Sequence, residues 1–373
     1  MTITALAKNA APVGQADRRL RRRGDGAVDD RPKDDKAMLR AAADLTRQLN
    51  SPIPAIYWAD MIGSAVIGYG ALALTIATPV LALVAGVVAI LALYRAGLFI
   101  HEITHLKAGS LPGFKLAWNA LVGVPLFVPS LMYEGIHNMH HAKIRYGTVE
   151  DPEYLPLALM KPWTLPVFVL AALLAPVALI FRFAILAPLS MLIPPLRRLV
   201  VARFSGLQIN PLFRRKSPEG EFARQWAWME GAASLWGIAL LAMVATGIIP
   251  LRSFLIFLAV ASGVMLLNQV RTLVAHLWEN DGDPMSVTEQ YLDTVNVPPP
   301  GIWAELWAPV GLRYHALHHL LPGIPYHALP VAHRRLRIEM GDDSAYHSAN
   351  YRGLFPLVGR LAVSSWRGST PHS

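Results

Sequence analysis

Residues 56–105 read IYWADMIGSAVIGYGALALTIATPVLALVAGVVAILALYRAGLFIHEITH. Two apolar runs, Ile56 to Ala77 and Leu81 to Ile100, flank the breaker Thr78-Pro79. Each is close to the ~20 residues that an α-helix needs to cross ~30 Å of hydrocarbon. Proline cannot continue a helix ladder, so the two runs form a hairpin. The second run leads directly into His101-Glu102-Ile103-Thr104-His105. A membrane-length hairpin with polar, metal-competent residues on its rim decides the fold class: an all-α integral membrane protein.

Composition agrees. Of 373 residues, 54% are apolar and 16% charged, with a mean hydropathy of +0.37. Soluble domains carry about 25% charged residues. The chain has no cysteine. That excludes disulfides, thiolate catalysis, thiolate zinc sites and iron–sulfur clusters held by its own cysteines. The formal charge is +9, but the basic residues are unevenly placed, which argues against a nucleic-acid partner.

A second pair of apolar segments runs from about Gly231 to Ile249 and Phe254 to His276, joined at Pro250-Leu251-Arg252. Lys and Arg number eleven in residues 1–55, thirteen in 101–230 and seven in 277–373. Basic residues stay on the cytoplasmic side, so both termini and the 101–230 segment are expected there. The expected architecture is four transmembrane helices in two hairpins, with interfacial or re-entrant helices and a cytoplasmic histidine-rich cap. Residues 117–132 are too short to cross twice. Residues 164–193 are interrupted by Pro176, Arg182 and Pro188 and read as a re-entrant or interfacial pair. Residues 1–50 read as a disordered basic tail carrying Arg18-Arg19-Leu20-Arg21-Arg22-Arg23, residues 51–340 as the membrane domain, and 341–373 as a C-terminal tail.

Nine of the thirteen histidines fall in four windows: His101/His105, His137-Asn138-Met139-His140-His141, a lone His276, and His315-Ala316-Leu317-His318-His319. Residues at i, i+3 and i+4 share one side of a helix, so each multiple window aims two or three imidazoles at one region. Two HxxHH copies are well beyond chance. All four windows fall at one level, on the cytoplasmic side. Nine imidazoles exceed what one zinc takes, but suit two six-coordinate ions that also bind water or oxygen. Imidazole alone does not distinguish iron, copper, zinc and nickel.

The set HEITH, HNMHH and HALHH with His276 resembles the membrane fatty acid desaturase family, box by box. Arg313–Leu336, RYHALHHLLPGIPYHALPVAHRRL, also resembles the third-box region of bacterial members. The resemblance covers about residues 50–340. It implies two non-haem iron ions held by His101, His105, His137, His140, His141, His276, His315, His318 and His319. It also implies O2 as co-substrate and a bacterial inner-membrane location. Electrons would come from a separate ferredoxin, rubredoxin or cytochrome b5 with its reductase. Acyl-CoA members carry asparagine four residues before the lone histidine; here that position is Thr272, with Asn268 a turn earlier. Glu102, Asn268, Thr272 and Asp281 are candidates to stand behind the ligands, and no substrate-binding residue is assigned. Plainer readings exist for the neighbours. Glu102 and Asp281 could be solvated end and turn residues. Arg95 and Arg271 could snorkel, Trp303 and Trp307 could anchor at the interface, and Asp60 could reach water. The four other histidines read as solvated or locally bonded. The basic pairs Arg197-Arg198, Arg214-Arg215 and Arg334-Arg335 fit either a carrier dock or the ordinary charge bias.

The expected activity is O2-dependent desaturation of a fatty acyl chain in the membrane. Fatty acyl hydroxylation and decarboxylation to a 1-alkene use the same ligands and remain alternatives. HEITH also fits the zinc-protease HExxH pattern, with Glu102 as base. That reading leaves two boxes and His276 without a role. A non-catalytic metal-binding membrane protein is the remaining rival.

Overall fold

The computed structural model describes residues 34–368. Among them there are only helices, turns and isolated bridge pairs. The arginine run 18–23 and His372 lie outside the described residues.

The first hairpin forms as expected, from α2 (Pro54–Ala77) and α3 (Ala82–Gly97), which continues after Leu98 as α4 (Phe99–His105). Met61, Ala65 and Leu72 of α2 are buried with Ala89 and Leu93 of α3. Gly68 makes this contact possible: a Cβ there would lie 2.7 Å from Leu93 side-chain carbons. Asp60 and Arg95 do not go to water or snorkel separately. Arg95 donates to both Asp60 oxygens at 2.7 and 2.5 Å, and Tyr326 Oη donates to Asp60 at 2.8 Å. Two charges near a hydrocarbon boundary are cheapest when paired.

The second hairpin departs from expectation. A helix over Thr164–Leu192, here α6 because α5 (His137–His140) precedes it, is also long and apolar enough to cross a membrane. Among the described residues five helices qualify on length and composition, against the four expected. α6 is bent by a 3-10 turn at Ala171–Leu174 and a π turn at Arg182–Leu186, near Pro176 and Pro188, whose missing N–H groups break the ladder. It lies between α7 (Gly220–Ala245) and α8 (Leu251–Leu273), packing on both. Gly237 admits it: a Cβ there would meet Ala184 Cβ at 3.2 Å.

The helix limits also shift. α7 starts at Gly220, not Gly231. Its early turns carry Glu221, Arg224 and Glu230, which mask the helix in a hydropathy reading. Buried Glu230 accepts from Arg182 at 2.5 Å and Arg197 at 2.7 Å. α8 ends at Leu273, so His276 lies beyond the helix.

Neither terminal segment is wholly irregular. Lys36–Leu49 forms α1, capped by Asp35, which accepts from Met38 N at 2.9 Å. Met38, Ala41, Ala42 and Leu45 bury their side chains among Ala316, Leu317, Ala332 and Leu336. The 341–373 stretch contains α12 (Leu354–Gly368), after α9 (Val287–Asp293), α10 (His315–Leu320) and α11 (Leu329–Glu339).

Candidate metal centre

Three short helices and one turn supply the nine histidines. α4 carries His101 and His105, α5 with its C-cap carries His137, His140 and His141, and α10 carries His315, His318 and His319. His276 follows the last turn of α8, where Val274 and Ala275 donate to carbonyls three residues back. It then pairs in a bridge with Thr294.

The histidines converge as two groups, not one. His101, His105, His137, His141 and His318 form the first; His140, His276, His315 and His319 form the second. Within each group one nitrogen per residue lies within 4.8 Å of the others. Both HxxHH boxes divide alike: the i and i+4 rings join one group and the i+3 ring joins the other. Helix geometry explains this. At ~100° per residue, positions i+3 and i+4 fall on opposite sides of i. A helix end aimed between two centres therefore feeds both.

The nitrogens face one another closely. Nε2–Nε2 distances are 3.0 Å for His137–His141 and 3.1 Å for both His276–His315 and His105–His318. Glu153 and Tyr133 meet His137 Nδ1 at 3.1 and 2.8 Å. Both Asp151 oxygens meet His140 Nδ1, at 3.0 and 2.9 Å. A carboxylate at Nδ1 keeps the proton there and leaves the Nε2 lone pair pointing inward. Tyr146 Oη lies 2.8 Å from His276 Nδ1 and donates to Asp293 at 2.7 Å. His101 is 4% exposed, yet neither ring nitrogen has a hydrogen-bond partner. Convergent lone pairs and an orphaned buried imidazole are what bound cations would satisfy, so the residues fit a metal pair.

Electrostatics point the same way. Burial, then neighbouring imidazoles and Arg271, pushes His276 and His315 well below the usual imidazole range. Burial and imidazole crowding do the same for His137, His141, His318 and His319. Both effects favour the neutral form that ligation requires. Burial also lowers His140, but the neighbouring carboxylates, Asp151 first and then Glu153 and Asp293, together leave it raised. Burial pushes Glu153 and Asp293 up to about 7.

The other sequence candidates sort differently. Glu102 is buried, not solvated. It accepts from Tyr57 Oη in a short hydrogen bond and from Tyr326 N at 3.1 Å. Its oxygen is 3.7 Å from His101 Nδ1, outside hydrogen-bond range. Thr272 Oγ1 donates to the Asn268 carbonyl at 2.9 Å, a bond within the helix. Asp281 lies in a turn that Asn280 holds by donating to Asp283 O and Gly147 O. Arg271 does not snorkel: it is 8% exposed, with Nη2 3.3 Å from His315 Nδ1. Trp307 packs inward, whereas Trp303 is 71% exposed. His327 accepts from Ile53 N at 3.1 Å, and His333 Nδ1 meets Tyr346 Oη at 2.7 Å.

The residues that sequence reading missed are Tyr133, Tyr146, Asp151, Glu153 and Asp293. One signal was available: Asp151-Pro152-Glu153, an acidic pair ten residues past the second box.

The family model described as fatty acid desaturase matches residues 74–350. The chain is 51% identical over 329 residues to a ceramide hydroxylase of Caulobacter vibrioides (strain NA1000 / CB15N). That alignment covers 88% of this chain and 93% of the relative. No solved structure gives a significant match.

Proposed function

Because this chain belongs to the fatty acid desaturase family, we propose that it is a di-iron lipid hydroxylase acting on a ceramide-like substrate. The observation that carries this is the division of nine histidines, six buried and three half-buried, into two convergent groups, in a chain half identical to a ceramide hydroxylase. Hydroxylation therefore replaces desaturation as the first reading. The shared ligand set supports decarboxylation no better than the other two outcomes.

His101, His105, His137, His141 and His318 would hold one iron; His140, His276, His315 and His319 would hold the other. The pair would supply O2 activation against an unactivated C–H bond. The overall balance is one C–H, one O2, two electrons and two protons giving one C–OH and one water. This chain's own residues do the rest. Asp151 and Glu153 fix the protons of His140 and His137 on Nδ1. Tyr146 links His276 to Asp293. The buried layer excludes bulk water, so that the oxidising equivalents reach the lipid.

The zinc-protease reading loses its base. Glu102 is held by Tyr57 and the Tyr326 amide. His101 and His105 share their group with histidines from both other boxes. This sequence has no cysteine to hold an iron–sulfur cluster, which supports electron delivery from a separate ferredoxin, rubredoxin or cytochrome b5 and its reductase. The charge bias supports a multi-pass inner-membrane placement with the histidine layer on the cytoplasmic side.

The test is lipid mass spectrometry of aerobic cells expressing the wild type or His318→Ala, with a ferredoxin and its reductase. A sphingolipid gaining one oxygen only in the wild type is expected. A lipid losing two hydrogens instead would restore desaturation.

A further inference from the structure

α12 lies beyond the part of the chain that the family model matches. It has two apolar sides. Leu357, Leu361 and Ser365 are buried, at i, i+4 and i+8. On another side Phe355, Val363 and Trp366 are 84%, 49% and 68% exposed. At 100° per residue these three fall within one quadrant of the helix. The chain carries no acidic residue from 350 to 368, while Arg352, Arg360 and Arg367 are exposed, Arg360 pairing with Glu279 at 3.2 Å.

The inner side fixes the level at which the helix sits. Leu361 packs in one cluster with Leu165, the second residue of α6, and Leu273, the last residue of α8. Ser365 Oγ donates to the Met160 carbonyl at 2.6 Å, four residues before α6 begins. Exposed Lys161 and Trp163 lie in the same stretch. α12 therefore packs where the start of α6 and the end of α8, two apolar, membrane-length helices, come together, and it presents an exposed apolar stripe and a basic flank.

We propose that α12 is an interfacial helix seated on an anionic bilayer surface, with Phe355, Val363 and Trp366 in the headgroup–acyl boundary. An amphipathic helix with apolar side chains on one side and basic residues beside them binds such a surface through both terms. Leu361 shares its cluster with Tyr146, Tyr154 and Trp278, and Tyr146 meets His276. α12 thus joins the cluster whose Tyr146 stands behind His276.

The chain contains no cysteine, so one spin label can be placed cleanly. The full-length protein would carry Val363→Cys, with Val66→Cys in mid-α2 and Arg334→Cys on α11 as controls. Each would be labelled in nanodiscs of phosphatidylcholine alone or mixed with phosphatidylglycerol. Accessibility to O2 and to a water-soluble nickel complex reports depth. The expected result is an oxygen-to-nickel ratio at Val363 between those of the two controls, rising when phosphatidylglycerol is present. A ratio equal to that of Arg334→Cys in both discs would overturn the proposal. The same intermediate ratio in both discs would overturn its anionic part.

Discussion

The two histidine groups differ in what stands behind them. In the group of His140, His276, His315 and His319, three rings have an outer partner: Asp151, Tyr146 and Arg271 respectively. In the group of His101, His105, His137, His141 and His318, His137 is gripped by Glu153 and Tyr133. His101 has no partner at either nitrogen and His141 has none at Nδ1. One centre is oriented by protein hydrogen bonds before any cation arrives. The other relies more on packing and on the cation itself. Partners that accept from Nδ1, such as Asp151 and Tyr146, fix ring orientation and raise ligand basicity, whereas Arg271 can only donate to His315, so equivalent changes in the two groups should have unequal effects.

The largest effect is expected from ligand deletion. His140→Ala and His318→Ala should each abolish product formation and lower bound metal, read by elemental analysis of purified protein, while membrane insertion persists. Full metal content in either variant would remove that histidine from its group. Next comes Asp151→Asn. This side chain meets His140 with both oxygens and also accepts from Gly147 N and Glu153 N. A loss of about 10–100-fold in metal affinity or turnover is expected. Glu153→Gln should cost less, about tenfold on the same scale, because Tyr133 Oη still reaches His137 at 2.8 Å. If Glu153→Gln proves more damaging than Asp151→Asn, the contrast between the groups fails. Glu102→Gln should perturb the metal least. It weakens the ties to Tyr57 and the Tyr326 amide, so a stability loss of about 1–3 kcal/mol is expected in thermal unfolding, with metal stoichiometry unchanged. A fall in stoichiometry would mean that Glu102 acts on His101 across their 3.7 Å separation.

How far the sequence could be read follows from which features are local. The first hairpin is local: two apolar runs and one proline. The boxes are local too, since i, i+3 and i+4 spacing lies within one helical turn. The helix set between α7 and α8 is not. Apolar content shows that residues 164–192 avoid water, but not which neighbours they pack against. Glu221, Arg224 and Glu230 lower the hydropathy of α7, and only the Arg182–Glu230 pairing explains why Glu230 is buried. Asp151, Glu153 and Asp293 have no periodic signature, because their role depends on where a loop folds back. α1 was legible in principle. Met38, Ala41, Ala42 and Leu45 repeat at i, i+3, i+4 and i+7, a helical stripe outweighed by the charge around it.

The proposed reaction inserts one oxygen atom into a lipid. The most direct measurement is mass spectrometry of sphingolipids from expressing cells grown under isotopically labelled O2. One labelled oxygen retained in the lipid product, absent from His318→Ala cells, is expected. A product two hydrogens lighter with no labelled oxygen would contradict it.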